Sequence, residues 1–560
     1  MISIKTNMIV RFICVVLVVL CSDGYHGYIV DPGPTIKATK GEVWPKPQSQ
    51  DKYDSYFVVR PQVFEFKVLT ENDCSLLENA FSRYHRILSN DYQKARNNFD
   101  FETNLYHKKL WLTDDNYIGY LDTLNVYLFG PCEDNAYPTF NMSEDYLLVL
   151  SNGTAELSSN STWGILRGLE TFSQLTYLGE DTITLRINST LITDYPRFAH
   201  RGLLLDTARH YIPLDKIITT LDAMSYNKMN VFSLAYHGRS KFSLCQSKSF
   251  QNLELQTRTK WKEKHPERLQ PGVLVFIKDK NLPPLKWAMG RVLEVHKDAD
   301  GHTRSWGVAK PELLTECYDN ETKTGKLGPI DPTKNNTYSF LKELFEEIGE
   351  TFPDQYIHLG GDEVGFECWE SNSDINAFMK ANDIVGDYSA LESYYIQKLI
   401  NIVDQLNSSS IVWEEVFSNG VILPNKTIVH VWKDNWQLTI YEVTESGRNA
   451  LLSSCWYLDH LASDGDWLKF YACDPYDFVG TEEQKQLVIG GEACMWSEVV
   501  NQYNVISRVW PRASATAEKL WSDENASDIL EASRRLEEHT CRMNARGIGA
   551  QPPNSAGYCL

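Results

Sequence analysis

Two adjacent carboxylates, Asp362 and Glu363, follow a short apolar run and two glycines in Tyr356-Ile-His-Leu-Gly-Gly-Asp-Glu-Val364. A buried parallel strand delivers acid–base groups to its carboxyl edge in this way. The glycines permit a sharp turn and close approach of a ligand. An arbitrary Asp-Glu pair is a solvated strand end; the apolar run, the double glycine and Trp369 downstream argue for chemistry. Neighbouring carboxylates on extended chain point in different directions, so the two can take separate tasks. Further polar and aromatic groups stand at the ends of other apolar runs. They are Arg209, Trp413, Trp432, Tyr457, Asp459, Trp496 and Glu498. Any one of the three tryptophans alone reads more readily as core, and Arg209 alone as a structural ion pair with Asp206. Together the rings could wall a flat apolar ligand face, while Arg209 and Glu498 could bind its polar groups.

The elements that must position these groups recur regularly. Short apolar strands are predicted at 202–206, 230–235, 356–360, 410–414, 428–432, 449–454 and 488–494, with helical patterns between, such as Pro213 to Tyr226 and Ser339 to Glu350. This alternation predicts an α/β fold, a (β/α)₈ barrel over 196–560. Seven strands are clear and the third is not. Residues 40–190 mix alternating strands (Tyr146 to Leu150, Thr182 to Ile187) with a helical pattern from Trp163 to Leu175, which predicts a small α+β domain with a structural role.

The ends and the composition bound the partners. Lys5 and Arg11 precede an apolar run from Phe12 to Leu20, then Cys21-Ser-Asp-Gly; residues 1–25 read as a secretory signal peptide, the run being short for a membrane span. The formal charge of −20 over 560 residues argues against nucleic acid or an anionic membrane as the main partner. Nine Asn-X-Ser/Thr acceptors, at Asn141, Asn152, Asn160, Asn188, Asn320, Asn335, Asn407, Asn425 and Asn525, fit passage through the secretory pathway. No Cys/His spacing points to a metal site.

The motifs His200-Arg-Gly-Leu-Leu-Leu-Asp-Thr-Ala-Arg-His210, Tyr356 to Val364, Ile411-Val-Trp-Glu-Glu415, Val431-Trp-Lys-Asp434, Cys455-Trp-Tyr-Leu-Asp459 and Gly490-Gly-Glu-Ala-Cys-Met-Trp-Ser-Glu498 together resemble glycoside hydrolase family 20, the β-N-acetylhexosaminidases, and most closely its animal lysosomal α/β-subunit branch. The resemblance implies Glu363 as general acid and Asp362 as partner of the substrate's 2-acetamido group, which is itself the nucleophile. It implies Tyr457 as orienter of that group, Trp413, Trp432 and Trp496 as an aromatic box, and Arg209 and Glu498 as hydroxyl ligands. Asp459, followed by His460, implies a preference for neutral sugars. His302 matches the family's histidine after strand 3, but with Gly238 in place of the supporting Asp the His-Asp-Glu relay is expected to be incomplete. Disulfides Cys74–Cys132, Cys317–Cys368 and Cys541–Cys559 are implied, as are a homodimer, a lysosomal or secreted location, a carbohydrate substrate and no cofactor. Cys245, Cys455, Cys473 and Cys494 are left over, Cys494 in a strand-like run.

The tract from about 255 to 300 departs from this pattern. Gln256 to Lys297 holds ten Lys/Arg against four Asp/Glu in an acidic chain. Pro271 to His296 reads as two short strands joined by Asn-Leu-Pro-Pro, and resembles the C-terminal segment of BEL/Pao-type retroelement polyproteins. The family uses this region for its second barrel helix and third strand, and ends strand 2 with a His-Trp-His and paired Asp. Here Ser233-Leu-Ala-Tyr-His-Gly-Arg239 stands instead, with Gly238 at an Asp position, and Asp300 replaces a Pro before Gly301. The barrel is therefore expected to be disrupted around strands 2–3. Three readings remain open: an active enzyme, a sugar-binding or structural descendant that has lost turnover, and a sequence in which two coding segments have been misjoined.

Overall fold

The computed structural model describes residues 36–70, 74–97, 114–133, 137–151, 153–181, 184–236, 240–245, 274–277, 288–291, 310–352, 355–460 and 465–554, the three short stretches between 240 and 291 as backbone path. The signal peptide, His302, Gly238, Asn152 and Cys559 lie outside the described residues.

Residues 49–194 build a mixed sheet. Its strands are β1 (Ser49–Val59), β2 (Glu65–Val68), β3 (Tyr117–Leu121), β4 (Thr123–Leu128), β5 (Tyr146–Ser151), β6 (Thr154–Ser159), β7 (Tyr177–Leu178) and β8 (Leu185–Asp194), in the order β2-β4-β6-β5-β8-β1-β3 with β7 on β8. Alternation does the work: along β4 and β6 every second residue is buried, the period of a sheet with one covered face. Helices α1 (Ser75–Asn97) and α2 (Thr162–Leu175) cover it. The Ser161 side chain caps α2 by accepting from the Gly164 N–H, and Ile165, Leu169 and Phe172 are buried in the core.

The second unit is a closed barrel in the order β10-β11-β16-β17-β18-β19-β20-β9. Its strands are β9 (His200–Asp206), β10 (Val231–Tyr236), β11 (Ser240–Cys245), β16 (Tyr356–His358), β17 (Ser409–Trp413), β18 (Ile428–Val431), β19 (Asn449–Leu452) and β20 (Val488–Met495). All seven predicted strands are present and pair in parallel from β16 round to β10. The unclear third position is filled by β11, which runs antiparallel to both neighbours and meets β16 at one register pair, Lys241 with His358. Only residues 237–239 separate β10 from β11, while a parallel return needs a dozen or more. Outside the barrel, β12 (Leu274–Ile277) and β13 (Ala288–Arg291) pair antiparallel, as the two-strand pattern predicts. A second ribbon joins β14 (Leu314–Asp319) to β15 (Thr322–Ile330).

Sheet and barrel meet across buried charge. Arg201 on β9 gives two 2.7 Å hydrogen bonds to Glu144, which also accepts from Arg167 at 2.7 Å. Lys228 pairs with Asp194 at 2.7 Å, and Asp194 also accepts from Tyr146 and the Trp521 indole. Such pairs hold only when every partner is present, because each isolated charge would be stranded in apolar surroundings. The C-terminal helix Ile529–Ala545 adds a fork from Arg535 to Glu518 at 2.7 and 2.8 Å.

Disulfides link Cys74 to Cys132 and Cys317 to Cys368, the second tying β14 to the short helix Glu367–Ser371. Cys541 is also disulfide-bonded. Cys455 pairs with Cys473, a bridge absent from the sequence-based expectations, and Cys494 is a buried cysteine outside any disulfide. Of the described acceptor asparagines, Asn141, Asn160, Asn320, Asn335, Asn407, Asn425 and Asn525 are exposed, while Asn188 is half-buried and donates to the Tyr53 carbonyl.

Candidate active site

Six of the seven parallel strands, all but β10, lead into a side chain that sequence reasoning selected, and closure of the sheet brings these ends together. After β16 the chain passes Gly360 and Gly361 at φ of 78° and 99°. A Cβ on Gly361 would collide with Val416, so glycine is required there on both counts. Glu363 itself stands at φ 49°, a backbone region costly for a residue with a side chain and found where geometry is imposed by function. Glu363 is exposed and Asp362 half-buried.

Arg209, three residues beyond β9, donates to Asp206 at 2.8 Å and lies 3.0 Å from Glu498. The structural pairing of this arginine with Asp206 is thus present, and Arg209 and Glu498 are each about half exposed at 49 %. Burial opposes its charge, but the hydrogen bond to Asp206 and the charges of Asp206, Glu498 and Asp362 raise its pKa on balance. Asp206 is buried and also accepts from the backbone of Ala208 and Ser497, which fastens the ends of β9 and β20 together.

The rings form a continuous wall. Trp413 meets Trp432 edge-on at 6.3 Å, and Trp432 stacks on Tyr457 at 6.0 Å. The Trp496 side chain hydrogen-bonds to Tyr457, and the Arg209 guanidinium lies 5.0 Å from the Trp496 ring. Trp413 is only 2 % exposed and packs on His430 and His358, so it backs the wall, whereas Trp432, Tyr457 and Trp496 are half-buried. Burial pushes the Tyr457 phenol well above its usual range, with Asp459 and Asp362 adding to the shift; the phenol keeps its proton and can donate it in a hydrogen bond. Asp459 is raised, chiefly by burial, and its Oδ1 has no partner among the described residues.

Two further carboxylates were not selected from sequence. Glu415 accepts from the Trp432 indole at 3.0 Å, and Glu414 accepts from the Lys433 backbone at 3.2 Å. Both stand in the quoted Ile411 to Glu415 motif, so the signal was present. Beside Asp362 a cavity of about 540 Å³ opens, lined by Leu341, Leu344 and Phe345 of the helix Asn335–Thr351, by Tyr395 and by Trp369. His302 cannot be placed within this site, lying outside the described residues.

Comparison with known proteins agrees with this geometry. Residues 198–524 match the model of the glycosyl hydrolase family 20 catalytic domain, and residues 43–175 match a beta-acetyl hexosaminidase like domain. Beta-hexosaminidase subunit beta of Homo sapiens is 41 % identical over 535 residues, covering 94 % of this chain and 91 % of the relative. Subunit alpha of Bos taurus is 40 % identical over 527 residues, covering 92 % and 94 %. Among solved structures, a Flavobacterium johnsoniae chitobiase shares the fold with a TM-score of 0.64 at 24 % identity, covering 90 % of this chain and 73 % of its own. With the family model spanning more than half its length, and relatives at this identity along nearly all of it, the chain belongs to glycosyl hydrolase family 20.

Proposed function

We propose that this protein is a retaining β-N-acetylhexosaminidase that releases terminal, non-reducing N-acetylglucosamine or N-acetylgalactosamine from glycoconjugates or chitooligosaccharides. The observation that carries this reading is the convergence of Asp362 with Arg209 and Tyr457. Its charge reaches both groups, although the three come from β16, β9 and β19. Glu363 protonates the leaving oxygen as the bond opens toward an oxocarbenium-like state. The 2-acetamido oxygen attacks the anomeric carbon in place of a protein nucleophile. Asp362 holds the acetamido N–H and stabilises the cyclic cation, while Tyr457 donates to the acetamido oxygen and orients it. With Trp496 hydrogen-bonded to Tyr457, the phenol is held in place for that task. Trp413, Trp432 and Trp496 enclose the acetamido methyl and the apolar sugar face, and Arg209 and Glu498 take hydroxyls. His302 takes the histidine position of a His-Asp-Glu relay that Gly238, at the Asp position, leaves incomplete. This chemistry calls for no metal or organic cofactor, because the substrate supplies the nucleophile.

Asp459 opposes an anionic group and His460 stands where an Arg would help to receive a sulfate or carboxylate, which supports preference for neutral sugars. The subunit character of the relatives supports a homodimer. The nine acceptor asparagines support use in a lysosome or outside the cell, after removal of residues 1–25.

A second reading concerns the third barrel position. The antiparallel course of β11, the β12–β13 ribbon, and the apolar face that Leu341, Leu344 and Phe345 turn to a cavity support displacement of one strand–helix unit by the basic tract. A tract of BEL/Pao type would weaken turnover while leaving the sugar wall standing, or would mark a misjoined sequence whose intact form is the enzyme.

Release of a chromogenic group from a β-N-acetylglucosaminide, beside Glu363→Gln and a circular dichroism check, tests these readings. Glu363-dependent turnover supports the enzyme, with kcat in Glu363→Gln lower by about 10³-fold. A folded chain that binds N-acetylglucosamine without turnover favours the impaired descendant, and an unfolded chain the misjoined sequence.

A further inference from the structure

Trp432 is the ring at the centre of the wall, with Trp413 on one side and Tyr457 on the other. It is only half-buried, so packing alone leaves its ring freedom to turn. Two consecutive carboxylates hold it. Glu414 and Glu415 open the short helix Glu414–Ser418 directly after Trp413. Glu415 Oε2 accepts from Trp432 Nε1 at 3.0 Å, and Glu415 Oε1 stands 3.2 Å from Lys433 Nζ. Glu414 Oε1 accepts from the Lys433 backbone N–H at 3.2 Å, and the Trp432 backbone also donates to Glu414. One carboxylate therefore grips the backbone of the Trp432-Lys433 dipeptide and the other grips the ring and the following ammonium. An indole has a single polar donor, and a bond from it to a charged acceptor is stronger than one to a neutral group. Fixing both backbone and Nε1 leaves one orientation of the ring.

Glu414 is 2 % exposed, and its Oε2 has no partner among the described residues. A buried carboxyl oxygen without a partner costs stability, and a fastening of strand to helix could be made with neutral groups. What the two side-chain acceptors add is direction.

We propose that Glu414 and Glu415 are positioning residues that set the plane of Trp432 and, through its stacking, the place of Tyr457, so that the 2-acetamido group is held in line for attack. This rests on the hexosaminidase reading above and names residues that act through the wall without touching substrate.

The test compares Glu415→Gln, which keeps an acceptor for the indole, with Glu415→Leu, which removes it, each also made with Trp432→Phe, which lacks the donor. Turnover of a chromogenic β-N-acetylglucosaminide, tryptophan-fluorescence titration with N-acetylglucosamine and melting temperature are read for all four, for Trp432→Phe alone and for the unsubstituted chain. Expected are kcat/KM within about threefold for Glu415→Gln and about 30-fold lower for Glu415→Leu, the loss falling more on kcat than on KM because misaligned attack penalises the chemical step. On the Trp432→Phe background, Glu415→Leu should cost less than about threefold more, because the route through the indole is already cut. Glu415→Leu that lowers the melting temperature but keeps kcat/KM within threefold would overturn the proposal and leave the hexosaminidase reading standing. Equal losses on both backgrounds would also overturn it. An unsubstituted chain that neither turns over substrate nor binds N-acetylglucosamine would remove both.

Discussion

Arg201 and Arg209 stand at opposite ends of one strand, and both face carboxylates, yet they do different work. Arg201, below the barrel, is fully buried and gives Glu144 two 2.7 Å bonds, with Arg167 completing the cluster. Arg209, at the mouth, shares Asp206 and Glu498 and is 49 % exposed. The chemistry of the pair is the same and the solvent is not. In the seam the ions are committed to each other, since neither can return to water. At the mouth water competes, the pair is weak, and its members keep exposed surface. Burial thus separates an arginine committed to its partners from one that solvent can reach.

The comparison breaks most sharply at Glu144. Replacing it with Gln leaves Arg201 and Arg167 buried with a neutral acceptor. It should cost about 4 kcal/mol of stability, read by denaturant unfolding, with kcat/KM of the remaining folded protein unchanged. Glu498→Gln should do the reverse: stability within about 1 kcal/mol of the parent, but KM for a β-N-acetylglucosaminide higher by 10- to 100-fold, about 2 kcal/mol. A loss of stability at Glu498 equal to that at Glu144 would erase the distinction.

Glu414 lies between the extremes, buried like the seam but placed at the mouth. Burial first, and then the neighbouring Glu415, raise its pKa from 4.5 to about 7. A carboxyl raised on folding favours the folded state when protonated. Its contribution, on the order of 2 kcal/mol, is complete below about pH 4.5 and is lost as pH rises through about 7. Glu144, lowered by its arginines against the cost of burial, contributes in the opposite sense and is lost as pH falls below its ordinary range. Unfolding free energy measured from pH 4.5 to 7.5 should therefore fall more steeply in the parent than in Glu414→Gln. Identical slopes would remove Glu414 from this account. The smallest effect is expected at Asp459, whose charge sits near Glu498 and Arg209. Asp459→Asn should raise kcat/KM for a 6-sulfated substrate relative to the neutral one by about tenfold, about 1.4 kcal/mol; an unchanged ratio would mean that Asp459 does not select.

Much of this was legible in residues alone. The seven parallel strands are short apolar runs, and a strand buried on both faces carries that signature wherever it occurs. The candidate site residues could be picked out because most of them follow such a run. Glu414 and Glu415 were not singled out, although they stand beside Trp413, because their partner Trp432 is 17 residues away and only pairing of β17 with β18 joins them. The Cys455–Cys473 bridge escaped for a similar reason, since spacing does not say which cysteines meet.

Local sequence determined the strands, the glycine turn before Asp362 and the identities of the groups at the strand ends, because these depend on periodicity and backbone freedom within a few residues. Tertiary structure decided what those groups do. Whether an arginine is glue or ligand, whether Trp413 is wall or backing, and whether Glu414 holds a proton near neutrality all turn on burial and on charges delivered by distant strands. Both are properties of the closed barrel and of no single segment.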